Sequence, residues 1–162
     1  MKKLNALLAK IGTCLQSPVL LFIRLAWGFQ LYESGWGHLT HFADTLKNFQ
    51  GWNVPFPVAS VYVAGTTEFV GGILLMLGLF SRFISIPLFF NFCVAYLTAS
   101  PGELKALLHF KNPDDFINDA AFPFLVTSLL ILAFGPGKIS LDYLLEKFCG
   151  KKSGASGSGA GA

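Results

Sequence analysis

The stretch FPVASVYVAGTTEFVGGILLMLGLFSR, residues 56–82, carries one charge, Glu68, before it reaches Arg82. A helix needs about 20 mostly apolar residues to cross a hydrocarbon core. Residues 56–80 therefore read as a transmembrane helix with an ionisable group inside it. Working outward, three more charge-poor runs appear. One precedes it, from Pro18 to Tyr32 and on through Trp36, interrupted by Arg24. One follows, Phe83 to Ser100, and contains Pro87, which a membrane helix tolerates where neighbours satisfy the freed carbonyl. The last, Ala120 to Phe134, ends at Gly135, Pro136 and Gly137, a helix stop. The predicted spans are about 18–38, 56–80, 83–100 and 118–135, an all-α, four-transmembrane-helix bundle.

Composition agrees with this reading. Of 162 residues, 53% are apolar and 13% charged, with a mean hydropathy of +0.57, whereas a soluble domain carries roughly a quarter charged residues. Nine acidic and 12 basic side chains cannot clothe a soluble core of this size. A net charge of +3 gives no reason to expect a nucleic-acid partner. Cys14, Cys93 and Cys149 form no CxxC or CxxCH, so thiol redox chemistry, thiolate zinc and covalent haem have no signal. No repeat of roughly 20 to 50 residues is visible, which excludes solenoids and propellers.

Residues 1–150 form one integral membrane domain on this reading. With alternating flanks, one side holds Lys2, Lys3, Lys10, Arg82, Lys138, Lys147, Lys151 and Lys152, and the other Lys47, Lys105 and Lys111. The bias predicts both termini in the cytoplasm. Leu4, Leu7, Leu8, Ile11 and Leu15 recur at helical spacing and predict a short amphipathic helix on the inner membrane surface. Lys10 interrupts the apolar stretch and no small-x-small site follows, so the segment is expected to be retained rather than cleaved as a signal peptide. Ile139, Leu141, Leu144, Leu145 and Phe148 predict a second amphipathic helix on the same surface. Residues 151–162, all Ser, Gly and Ala from Ser153 on, read as a flexible linker or cloning scar without a functional part.

Arg24 and Glu68 are the most informative positions, because a charge near a helix centre costs about 2.5 to 3.5 kcal/mol unless it faces the bundle, water or a partner. At 1.5 Å per residue, Arg24 stands roughly 9 Å and Glu68 roughly 18 Å from the inner end, a gap that a long arginine and helix tilt can close. An ion pair is expected, acting as a registry lock, as a ligand or proton site, or merely as solvent-lining charges. Gln30, Glu33, Thr66, Thr67, Asn91 and Asp119 could line the same interior, Glu33 and Asp119 close to the outer interface. His38, His41 and Asp44, at i, i+3 and i+6, form a candidate metal or haem-edge site if the helix continues, with His109 as a further ligand if its loop folds back; the alternative is ordinary interface histidines. Tyr32, Trp36 and Trp52 read either as an aromatic belt or as a stacking wall for a flat ring such as a quinone entering from the lipid. Gly71, Gly72 and Gly78 permit close helix packing.

Arg24, Gly28, Gly35, Trp36, Gly37 and His38, then Glu68 to Leu75 with Gly78 and Arg82, then Gly135 to Asp142 (GPGKISLD), together resemble the DoxX family of small four-helix membrane proteins over roughly residues 15–145. One departure is His38, where the family often has lysine. The resemblance implies a polar centre at Arg24 and Glu68, structural glycines at 71, 72, 135 and 137, and a location in the bacterial inner membrane. It also implies association with membrane oxidoreductases, among them the small subunit of thiosulfate:quinone oxidoreductase, or with metal-handling and thiol-stress systems.

Two functions follow from these readings. The first is a redox-associated membrane subunit that binds a quinone-like ligand through Arg24, Gln30, Glu33, Trp36, Glu68 and Asn91, with Arg24 stabilising a developing oxyanion and Glu68 relaying protons. No flavin, haem or iron–sulfur motif is present, so electrons would come from another chain, and catalysis by this chain alone is not expected. The alternative is a non-catalytic scaffold or small-solute transporter, with an outer-face metal site at His38, His41 and Asp44 as a third reading. Expected partners are the bilayer, proteins of a redox or metal-handling system, and further copies of the chain.

Overall fold

The computed structural model describes residues 2–100, 102 and 113–153. Among them are seven helices and no strand: α1 (Lys2–Thr40), α2 (Phe42–Gly51), α3 (Pro57–Leu77), α4 (Ser81–Thr98), α5 (Pro113–Asn118), α6 (Phe122–Phe134) and α7 (Leu141–Ser153). Stretches in α1, α3 and α4 are long and apolar enough to cross a membrane. The fold class is therefore all-α, with three helices of spanning length among the described residues.

Two expected boundaries differ. The amphipathic N-terminal segment is not a separate helix but the first part of α1, which runs 39 residues with Pro18 inside it. Nothing between Leu15 and the first span breaks the helix, and at about 1.5 Å per residue α1 is roughly 58 Å long, nearly twice a hydrocarbon core. Leu4, Leu7, Leu8, Ile11 and Leu15 remain exposed along it. The fourth apolar run, expected at about 118–135, is helical over only 13 residues, roughly 20 Å. It starts late because the Asp119 carboxylate accepts a hydrogen bond from the Ala121 N–H (2.6 Å) and another from the Ser100 hydroxyl (2.6 Å), making a turn there. Pro123 in its first turn suits a helix start.

α1 and α3 run antiparallel at backbone contact. A Cβ on Gly72 would lie 2.5 Å from the Gly28 carbonyl oxygen and from the Tyr32 nitrogen, and one on Gly35 would meet the Phe69 nitrogen and the Gly65 carbonyl. Residue 28 thus faces 72 and 35 faces 65, two helical turns apart on each helix. The remaining bundle is α4 against α6, joined to the first pair by the tight α3–α4 connection. Leu20, Leu31, Leu75, Leu88, Phe92 and Ile131 form the core between the pairs. The Phe92 ring is stacked on Phe124 at 5.1 Å, and the Trp27 ring meets Phe124 edge-on.

α3 ends in a Schellman motif: Gly78 has φ +68°, its N–H donates to the Leu75 carbonyl, and the Leu79 N–H donates to Leu74. Asp142, at the start of α7, accepts from the Phe80 (2.7 Å) and Ser81 (2.9 Å) N–H groups and so caps α4 from another helix. Its own N–H donates to the Gly78 carbonyl at 2.9 Å. The sequence GPGKISLD is thereby a clasp on the α3–α4 turn.

Gly35→Ala is expected to destabilise the detergent-solubilised protein by about 1–3 kcal/mol, because backbone must move to admit the methyl group. Gly37→Ala, where a Cβ meets nothing within 4 Å, is expected to be neutral or stabilising by up to ~1 kcal/mol. Thermal unfolding of the two variants in one detergent compares them; equal shifts would contradict the α1–α3 register.

Candidate functional site

The α1–α3 register determines which side chains Glu68 meets. Ser34 lies one residue before Gly35, and its hydroxyl donates to Glu68 Oε2 at 2.7 Å. His38, one turn further along α1, places Nε2 3.5 Å from the same oxygen and 3.5 Å from the Ser34 hydroxyl. From α4, Asn91 Nδ2 donates to Oε1 at 2.8 Å. Both carboxylate oxygens of a buried glutamate on α3 are thus engaged by groups from two other helices, α1 and α4.

This cluster lies on the wall of a pocket of about 1010 Å³. Phe49 and Trp52 of the α2 region, Phe92 of α4 and Phe124 of α6 give it aromatic surface, and Thr67 and Asp119 add polar groups. Val63 on α3 and Ile86, Phe90 and Val94 on α4 also line it and are exposed. The pocket therefore opens sideways between α3 and α4, a geometry suited to a molecule arriving through the apolar phase.

Arg24 belongs to a different centre. Only 1% exposed, it donates from Nη2 to the Ile139 carbonyl at 2.6 Å and sits against Gly78, with Asp142 as the carboxylate it faces electrostatically. Gly78 is ten residues beyond Glu68, roughly 15 Å along α3. The expected Arg24–Glu68 ion pair is not formed, because the glycine contacts set a register in which the long arginine reaches the α7 end instead. Its Nε and Nη1 atoms are buried without a hydrogen-bond partner among the described residues.

The other expected site residues divide. Asn91 and His38 join Glu68, and Thr67 and Asp119 line the same pocket. Gln30, Glu33 and Trp36 are exposed and do not line it. The Trp36 ring packs on Phe69 at 5.7 Å, so the aromatic wall of the pocket is formed by Trp52 and Phe49 rather than by Trp36 and Tyr32. Thr66 is exposed and donates to the Tyr62 carbonyl. His38, His41 and Asp44 do not converge: α1 ends at Thr40, His41 sits in the turn, and His41 and Asp44 are exposed. Among the described residues no three His, Cys, Asp or Glu side chains are placed to hold a metal ion. His109 lies outside the described residues. Ser34 was not foreseen; its signal is the register itself, once Gly28 and Gly35 are set against Gly72 and Gly65.

Comparison with known proteins is consistent with this framework. The family profile described as DoxX matches residues 19–101. The inner membrane protein YqjF of Escherichia coli K12 is 27% identical over 137 residues, covering 82% of this chain and 96% of that protein. An uncharacterized protein of Haemophilus influenzae is 28% identical over 145 residues, covering 83% of this chain and 87% of its own length. No solved structure matches.

The separation of the two centres predicts their energetics. Arg24→Met and Glu68→Gln should change unfolding stability additively, within about 0.5 kcal/mol, whereas Ser34→Ala and Glu68→Gln should show a coupling of about 0.5–3 kcal/mol. A double-mutant cycle in detergent measures both; strong coupling of Arg24 to Glu68 would contradict the arrangement.

Proposed function

The chain belongs to the DoxX family of membrane proteins, and from that premise we propose that it is a membrane subunit that binds a quinone-like, lipid-soluble ligand in the pocket beside Glu68 and serves an oxidoreductase partner. The observation that carries the reading is the Ser34–His38–Glu68–Asn91 cluster on the wall of an aromatic-lined pocket that opens sideways. A flat ring with a hydrocarbon tail suits such a pocket, its ring against Phe49 and Trp52 and its tail leaving between α3 and α4. Asn91 and His38 offer hydrogen-bond donors to a carbonyl oxygen. Two electrons and two protons convert a quinone to its quinol. The partner supplies the two electrons, the His38–Glu68 pair passes one proton to the carbonyl oxygen beside it, and the second carbonyl oxygen takes its proton from water at the mouth of the pocket. Arg24 has no part in this step, since its guanidinium is committed at the other end of α3.

In the same reading, α6 with its preceding turn completes four crossings in a bacterial inner membrane. Similarity to the inner membrane protein YqjF of Escherichia coli and the apolar helices support that location. The excess of lysine and arginine at the ends of α1, α4 and α7 supports cytoplasmic termini. α7 then lies at the inner surface, and the first turns of α1 extend beyond the hydrocarbon on that side.

Titration of the purified protein with a short-chain ubiquinone or menaquinone analogue, followed by quenching of tryptophan fluorescence in a protein with Trp27 and Trp36 replaced by Phe, tests the site. Glu68→Gln and Asn91→Ala are expected to weaken binding about tenfold, the scale of one lost hydrogen bond to a charged group, while Gln30→Ala leaves it unchanged. No binding by the wild type, or equal binding by all four proteins, would remove the proposal.

A further inference from the structure

A second pocket, of about 630 Å³, lies at the opposite end of the bundle, where α1, the α3–α4 turn and the start of α7 meet. Arg82 and Lys138 line it, both exposed and neither in an ion pair among the described residues. Arg82 lies against the Gly135 turn, since a Cβ there would come within 3.2 Å of its Nε and Nη2. The same pocket includes Phe80, Phe83 and Phe134, which are 64%, 78% and 59% exposed.

Two carboxylates are also present. Asp142 is already committed, both oxygens accepting backbone N–H groups and the charge facing buried Arg24; Glu146 is exposed. With Arg24 behind the wall, three cations stand against two carboxylates, an excess of one positive charge, and Arg82 and Lys138 both stand on the pocket surface without an ion pair among the described residues. Cations beside exposed aromatic rings, at the end of a membrane bundle, match an amphiphile whose anionic head sits next to its hydrocarbon.

We propose that this pocket is a binding site for the phosphate of an anionic phospholipid, with Arg82 and Lys138 holding the phosphodiester and Phe80, Phe83 and Phe134 packing on the first carbons of the acyl chains. The site is independent of the Glu68 pocket. Basic pockets between helices at the membrane surface are a general means of selecting anionic lipid heads.

The test is lipid retention by delipidated protein in a neutral detergent, read by native mass spectrometry and by the shift in unfolding temperature. Phosphatidylglycerol is expected to bind and stabilise the wild type, with phosphatidylcholine about tenfold weaker. Arg82→Gln with Lys138→Gln should remove that preference, and Arg82→Lys alone should keep it. Equal binding of the two lipids by the wild type, or an unchanged preference in the double variant, would overturn the proposal. If the double variant fails to fold, Lys138→Gln alone decides in the same way. Glycerol phosphate displacing phosphatidylglycerol at equal concentration would assign the pocket to a soluble phosphate ester and overturn the lipid assignment.

Discussion

The contact on which the rest depends is glycine against backbone between α1 and α3. Apolar side chains gain little by leaving lipid for a helix interface, so association there relies on close packing and on polar contacts that close packing permits. Gly28 facing Gly72 and Gly35 facing Gly65 bring the two backbones together at two levels and leave one register. That register sets Ser34 beside Glu68 and Arg24 beside Gly78. A slip of one turn would leave the carboxylate without its serine and move the guanidinium away from the carbonyl of Ile139.

The two buried charged side chains are then stabilised differently, and the difference separates structure from site. Arg24 is held by a backbone carbonyl and the carboxylate of Asp142, a group that also caps α4. Arginine, turn and C-terminal clasp form one unit, and the guanidinium, buried beside Gly78, stands apart from the pocket that Glu68 lines. Glu68 is surrounded by a hydroxyl, an amide and an imidazole, with no arginine or lysine bonded to it among the described residues. Its neighbours are small polar groups on the wall of a large pocket, which a ligand's own polar atoms could replace.

Much of this fold was legible in the sequence, for identifiable reasons. Charge-poor apolar runs disclosed α1, α3 and α4, and Glu68 and Asn91 stood out as polar groups within such runs. Hydropathy is blind to capping, however, so the turn made by Asp119 shortened α6 relative to the apolar run around it. It is equally blind to continuity, and the amphipathic first turns fused with α1 because no residue between them stops a helix. Pairing Arg24 with Glu68 followed from charge and depth alone, whereas the true partners depend on a register written in glycines. The histidine spacing assumed a helix running past Thr40, and the turn at His41 sends its members apart.

The division between a clasped end and an open end also distributes the bonds between α3 and α4 unevenly. At the clasped end, Asp142 bonds three backbone groups across the α3–α4 turn, and Ser140 accepts from the Tyr143 N–H to start α7. Displacing α3 from α4 there would break several hydrogen bonds together. At the open end the same two helices border a cavity and are joined by the Asn91–Glu68 hydrogen bond, the one side-chain bond between them there among the described residues. The α3–α4 pair is therefore tied by several hydrogen bonds at the turn and by fewer at the pocket. Glu68 is held from α1, the helix packed at backbone contact with α3, by Ser34 and His38, and from α4 by Asn91, so its carboxylate joins the tightly packed pair to the wall of the open pocket.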